Sequence, residues 1–150
     1  MSENQKPYRV LKFGGTSVAT AERIKNVVNI IQETSETVQP IVVVSALGGV
    51  TSRLRDAIEA ALERTETHSS IVDELCSRHQ EALEALVSDP DERQAVETVL
   101  NARWHELGEL LDGVYLLREC TPRSRDAIIS MGERTSVPLV TGALRAAGVT

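Results

Sequence analysis

The sequence has 150 residues, 41% hydrophobic and 25% charged, with a formal net charge of −6. Those proportions are globular and exclude an intrinsically disordered chain, while the length allows one domain or part of a larger one. Aromatic residues are only 3% and no stripe of Lys or Arg exists, so nothing supports a nucleic-acid partner.

The acidity is local. Residues 66–119 hold 13 acids and four arginines, a balance of −9, and everything else sums to +3. A small polyanionic ligand suits that mildly basic remainder. Cys76 and Cys120 have no CxxC spacing, which argues against a disulfide framework or a zinc site and fits a reducing compartment. The first residues lack the apolar core of a signal peptide, and no apolar run approaches the ~20 residues of a membrane span. The expectation is a cytoplasmic protein with no membrane partner.

In chain order, Tyr8 to Phe13 reads as a short buried strand, followed at once by Gly14-Gly15-Thr16-Ser17. Ile24, Val27, Val28 and Ile31 then fall on one helical face, with Thr20 as N-cap. Pro40 ends the connection, and Ile41-Val42-Val43-Val44 predicts a second buried strand. Ser45-Ala46-Leu47-Gly48-Gly49 makes the next turn. Thr51 opens a helix carrying Leu54, Ala57, Ile58, Ala61 and Leu62. Strand, Gly-rich turn and helix, twice over, predict an α/β fold with a parallel sheet covered by helices. Ligands of such folds bind beyond the carboxyl ends of the strands.

The middle changes character. Val72, Leu75, Cys76, His79, Leu83 and Leu86 form one helical stripe; Val96, Val99, Leu100, Trp104, Leu107, Leu111 and Val114 form another. Between them Asp89 can cap, Pro90 fits the first helical position, and Glu92 completes a capping box. The reading is a long antiparallel helical hairpin over 66–119, inserted on the α/β layer. A further helix starts near Thr121-Pro122 and runs toward Ala147, with a kink expected at Pro138 and Gly148 as C-cap. Val149-Thr150 reads as the start of another strand. Two complete strands are too few for a stable doubly wound sheet, so the sheet is incomplete and the chain reads as the N-terminal part of something longer.

The strongest chemical signal is Lys12-Phe13-Gly14-Gly15-Thr16-Ser17. A strand delivers a lysine to the ligand edge, and two glycines let backbone N–H groups approach a ligand without Cβ interference. A following helix turns its positive end to the same place, and a lysine is a point cation suited to phosphate. Neither GxxxxGK[ST] nor GxGxxG is present, and KxGG alone reads rather as an ordinary strand-to-helix turn with a solvated lysine.

The set is more specific than its parts. Lys12 to Val18, then Val43-Val44-Ser45-Ala46 with Gly49-Val50-Thr51, then Ser130-Met131-Gly132-Glu133, in that order, resembles aspartate kinase, a branch of the amino acid kinase family. The resemblance runs from about Val10 to the end of the chain and includes the helical hairpin.

The resemblance implies the N-terminal part of a catalytic domain that transfers the γ-phosphoryl of ATP, with Mg2+, to the side-chain carboxylate of L-aspartate. That is the first step toward lysine, threonine and methionine. By position, Lys12 matches the lysine that contacts the transferring phosphoryl, and Gly14 and Gly15 match glycines whose amides line the phosphates. Ser45 and Thr51 match hydroxyl positions around phosphoryl group and substrate, and Glu133 matches the carboxylate that recognises aspartate. Mg2+ would be held by the phosphates rather than by residues assignable here. A homo-oligomer is expected for the full-length protein, and some aspartate kinases are fused to homoserine dehydrogenase or diaminopimelate decarboxylase. The isolated 150 residues are expected to be inactive, because the remaining aspartate contacts and the adenine pocket come later in the family.

The chemistry is consistent from below. The attacking carboxylate is already ionised near neutral pH, so no general base is needed. What is needed is cancellation of charge as one anion attacks another, which a lysine, backbone amides and magnesium supply. Glu133 suits the substrate α-ammonium instead. Another carboxylate kinase, acetylglutamate kinase-like, and a non-catalytic segment that binds nucleotide or a partner are the competing readings.

Other features read as structural. His105-Glu106-Leu107-Gly108-Glu109 lacks the second histidine of HExxH and belongs to a solvated acidic face. His79 and Trp104 read as packed residues, Cys76 as core. Glu133 beside Arg134 has its own plain alternative, a surface ion pair.

Overall fold

The structure, a computed structural model, describes residues 6–149. Two strands, β1 (Tyr8–Phe13) and β2 (Gln39–Val44), form a parallel pair, joined through helix α1 (Ala21–Ser35). Helices α2 (Val50–Leu62), α3 (Thr67–Leu86), α4 (Pro90–Leu117) and α5 (Pro122–Ala146) follow. Tyr8 pairs with Gln39 and Phe13 with Val44, so both strands end at the same edge.

β2 starts earlier than the apolar run and takes in Pro40. The amides of Gln39 and Ser45 donate to Pro7 and Phe13. By alternation, the N–H that Pro40 lacks would face the outer edge of the pair, where no ladder bond is lost.

The strands are not buried on both faces as the sequence suggests. Leu11, Phe13, Val42 and Val44 pack against the core, but Val10 is 65% and Ile41 48% exposed, and Tyr8 and Val43 are exposed with them. Period two sends alternate side chains to opposite faces. Helices cover one face, and among the described residues nothing covers the other.

Local chemistry sets the helix ends. Thr20 caps α1, its hydroxyl accepting the Arg23 amide, and Thr121 caps α5 through the Ser124 amide. Asp89 caps α4 through the Glu92 amide, with Pro90 in the first turn. The box is not completed, however: the Glu92 carboxylate accepts from Arg145 of α5. α2 begins at Val50, one residue before Thr51, after Gly49 at φ 83°, a left-handed conformation that glycine adopts without strain. At the end of α5, Ala147 is the C-cap and Gly148 follows it. The Gly148 amide bonds Arg145 O and the Val149 amide bonds Leu144 O, a Schellman closure. α5 runs uninterrupted through Pro138. Val149 is in no strand, and Thr150 lies outside the described residues.

The hairpin does not stand on the layer; it is part of it. Leu75, Leu83, Leu100, Trp104 and Leu107 join one continuous core with Ile24, Ile31, Leu54, Ile58 and Met131. Val99 is the exception in its stripe, 42% exposed. α3 packs against α1, α2 and α5 as well as α4. No helix is long and apolar enough to cross a membrane among the described residues.

Candidate functional site

The common edge of β1 and β2 carries two loops. After β1, residues 14–20 turn tightly, with the Ser17 amide donating to Gly14 O at 2.9 Å. After β2, residues 45–49 turn into α2, and the Val50 amide closes that turn on Leu47 O at 3.0 Å. The loops touch: a Cβ on Gly48 would stand 2.8 Å from the Ala19 Cβ, and one on Gly15 would stand 3.2 Å from Ala46 O and 3.9 Å from Ser45 Oγ. Gly15 and Ser45 are therefore neighbours, although each follows a different strand.

α5 supplies the third wall. The Glu133 carboxylate accepts the Ala46 amide at 3.3 Å. One turn on, the buried Ser136 hydroxyl donates to Ser45 O at 2.8 Å. Gly132 makes that approach possible, since a Cβ there would stand 2.7 Å from the Ala46 Cβ, inside van der Waals contact. Glycine, glutamate and serine at positions 132, 133 and 136 thus share the helix face that grips the β2–α2 turn.

Arg134 does not pair with Glu133. Its guanidinium makes a two-pronged bond to Glu106 of α4, Nη1 to Oε1 and Nη2 to Oε2, both 2.8 Å. Arg134, then Arg103, hold the Glu106 carboxyl below its ordinary pKa. That leaves Glu133 free to face the loops.

Lys12 lies at the end of β1, exposed, on the uncovered face of the sheet beside Val43. Among the described residues its ammonium has no ion-pair or hydrogen-bond partner, and a Cβ on Gly14 would meet nothing within 4 Å. Gly15, Ser45 and Glu133 therefore meet around the Ser45–Ala46 turn, while Lys12 and Gly14 lie at the end of β1 with no contact to that group among the described residues. Thr51 sits beyond them in the first turn of α2, partly buried, and its hydroxyl makes no side-chain bond that ties it to the others.

The residues that hold the loops were not legible as functional. Ser136 follows Glu133 at i+3 and Gly132 at i+4, a spacing that marks a shared face, but serine and glycine alone carry no chemical signature. Arg23 of α1 donates to Thr16 O at 2.7 Å, and Arg78 of α3 donates to Ala19 O at 3.0 Å. Away from this edge, His105 and Glu109 are both exposed on α4. Burial pushes the Cys76 and Cys120 thiols up, away from thiolate character. Among the described residues no group of three His, Cys, Asp or Glu side chains is placed to hold a metal ion.

A parallel strand pair covered by helices on one face, with two Gly-containing loops at one sheet edge, defines an α/β fold. The chain belongs to the amino acid kinase family, whose model matches residues 7–150. It is 35% identical over 143 residues to aspartokinase 1, chloroplastic, of Arabidopsis thaliana, across 93% of this chain and 24% of that protein. It is 32% identical over 135 residues to the bifunctional aspartokinase/homoserine dehydrogenase of Buchnera aphidicola subsp. Acyrthosiphon pisum, across 86% of this chain and 16% of that protein. Its fold matches the crystal structure of E. coli aspartokinase III in complex with aspartate and ADP, with a TM-score of 0.80 at 24% identity over 95% of this chain and 30% of that one. The chain spans about a quarter of the length of aspartokinase 1.

Proposed function

We propose that this chain is the N-terminal part of an aspartate kinase catalytic domain, one that transfers the γ-phosphoryl of ATP to the side-chain carboxylate of L-aspartate. The observation that supports the reading is the bond from the Ala46 amide to the Glu133 carboxylate, which sets that carboxylate on the turn that Gly15 touches. A site for phosphate alone has no use for a carboxylate. A site that must also hold an amino acid does.

The roles follow from charge. Lys12 and the amides of Gly14 and Gly15 stabilise the transferring phosphoryl, where negative charge accumulates. Ser45, held by Ser136, presents its hydroxyl beside Gly15 at the same place. Glu133 takes the Ala46 amide on Oε1, and Oε2 is left to accept from the substrate α-ammonium. Thr51 contributes at the substrate end, from the first turn of α2. Magnesium arrives with the nucleotide phosphates as part of the substrate, and no residue of this chain is assigned to it. The remaining substrate contacts fall in sequence that the longer relatives have and these residues do not include.

The same carboxylate argues against an acetylglutamate-type substrate, because acylation removes the ammonium that Glu133 would bind. The test uses the protein encoded by the whole open reading frame, assayed for ADP release with L-aspartate or N-acetylglutamate. ADP release that requires aspartate and is absent with N-acetylglutamate supports the proposal. Release with N-acetylglutamate alone, or with neither, overturns it. Residues 1–150 alone should release no ADP above a Lys12→Ala control, because positioning carries most of this catalysis.

A further inference from the structure

Two consecutive residues of the hairpin reach both walls of the site. Arg78 extends from α3 to the end of the glycine-rich turn, where its Nη2 donates to Ala19 O at 3.0 Å. Its Nη1 lies 3.8 Å from where a Cβ on Gly49 would stand, so one guanidinium touches both loops. Adjacent helical residues point about 100° apart. His79, next in sequence, accordingly faces α5.

The His79 ring is fully buried, and its hydrogen bonds fix its tautomer. Nδ1 lies 2.8 Å from Leu75 O, a carbonyl that only accepts, so Nδ1 carries the proton. In the neutral ring Nε2 is then an acceptor, 3.2 Å from the Thr135 hydroxyl, whose one proton it shares with the nearer Met131 O at 2.8 Å. Thr135 is on α5, between Glu133 and Ser136. Trp104 of α4 meets the imidazole edge-on at 4.8 Å between ring centroids, so both hairpin helices hold it.

We infer that Arg78 and His79 are positioning residues: the hairpin is a brace that fixes the glycine-rich turn through Arg78 and the Glu133 turn of α5 through His79. The inference rests on the proposed function for the meaning of those two walls. It assigns the hairpin a part in the reaction that its acidic, solvated exterior does not suggest. Neither residue needs to touch substrate. Each acts through a backbone or hydroxyl group whose neighbour does.

The test is steady-state kinetics on the protein from the whole open reading frame. His79→Leu removes the acceptor and keeps the bulk, and the Thr135 hydroxyl retains Met131 O at 2.8 Å as a partner. Loss of one such bond should raise the aspartate KM about three- to tenfold while the ATP KM stays unchanged. His79→Gln, which can present an oxygen near the Nε2 position, should restore the aspartate KM. Arg78→Met should show the opposite split, with the ATP KM raised and the aspartate KM unmoved.

Should His79→Leu not fold, Thr135→Val removes the same hydrogen bond from the other side and should reproduce its aspartate KM. Unchanged KM values in these variants overturn the brace. So do KM values that rise together for both substrates, a purely structural signature. Glu133→Gln keeps the two ideas apart. If it leaves the aspartate KM unmoved, the proposed function fails; if it raises that KM while His79→Leu and Thr135→Val do not, only the brace fails.

Discussion

The Glu133 carboxylate of α5 and the Ala46 amide after β2 lie 3.3 Å apart although 87 positions separate them in sequence. That bond turns a helix residue into part of a loop site. It also leaves the second carboxylate oxygen without a hydrogen-bond donor among the described residues.

Glu133→Gln keeps the shape and removes the charge. A hydrogen bond assisted by charge contributes about 1.5–3 kcal/mol, which corresponds to roughly ten- to hundredfold in affinity. In the protein from the whole reading frame, the aspartate KM should rise by that factor and the ATP KM should barely move. Stability should change little, since the amide side chain still offers an oxygen to Ala46. A less stable protein with an unchanged aspartate KM would return Glu133 to a structural role.

Lys12 is expected to behave differently. It is exposed and has no partner among the described residues, so Lys12→Ala should leave stability within about 0.5 kcal/mol of the parent. Removing one preorganised charge donor from a site of this kind typically costs about 10²–10³ in turnover. The effect should therefore fall on kcat, with the aspartate KM nearly constant. Near-normal turnover would make Lys12 a solvated turn residue.

The sequence made the elements legible because local rules set them: short apolar, β-branched runs in β1 and β2, helical stripes in α3 and α4, and Thr20, Asp89 and Thr121 as caps. Lys12, Gly14 and Gly15 were legible as a site because strand, lysine and glycines are contiguous. Depth was not legible. Val10 and Ile41 look like core residues in sequence, but a strand pair covered on one face exposes every second side chain. Nor could the partner of Arg134 be read, because Glu106 comes from another helix 28 positions away. The grip of Gly132 and Ser136 on the Ser45–Ala46 turn is likewise a contact between distant segments, and neither residue type announces one.

Two glycines should separate folding from ligand approach. Gly132→Ala places a Cβ 2.7 Å from that of Ala46, and neither methyl group can move without its backbone. Overpacking of this kind typically costs about 1–3 kcal/mol, and it would push Glu133 away from the β2–α2 turn. Urea unfolding should show a lower midpoint. Gly14→Ala meets nothing within 4 Å and should unfold as the parent does, yet its new methyl group would stand where phosphate is expected to approach. Weaker ATP binding at unchanged stability is the result expected for Gly14→Ala; unimpaired ATP binding would place the phosphates elsewhere.

His79 should give the fold an acid-sensitive step. Burial, with a smaller push from the Arg78 charge, lowers its pKa from the ordinary 6.5 to about 4, against a lesser upward pull from the Leu75 carbonyl. The folded state therefore binds fewer protons than the unfolded state between those two values, and stability falls as the pH falls through that window. The contribution is fully present above pH 6.5 and is lost progressively down to about pH 4, below which both states are protonated. A difference of that size corresponds to about 3 kcal/mol in all, at about 1.4 kcal/mol per pH unit. Carboxylates titrate near the lower end of the window, which makes the comparison with a variant essential. Urea unfolding from pH 7 to pH 4 should show a steep decline for the parent and a shallower one for His79→Leu, the slopes differing most near pH 5, about midway through the window. Parallel profiles would mean that the ring accepts a proton in place without cost.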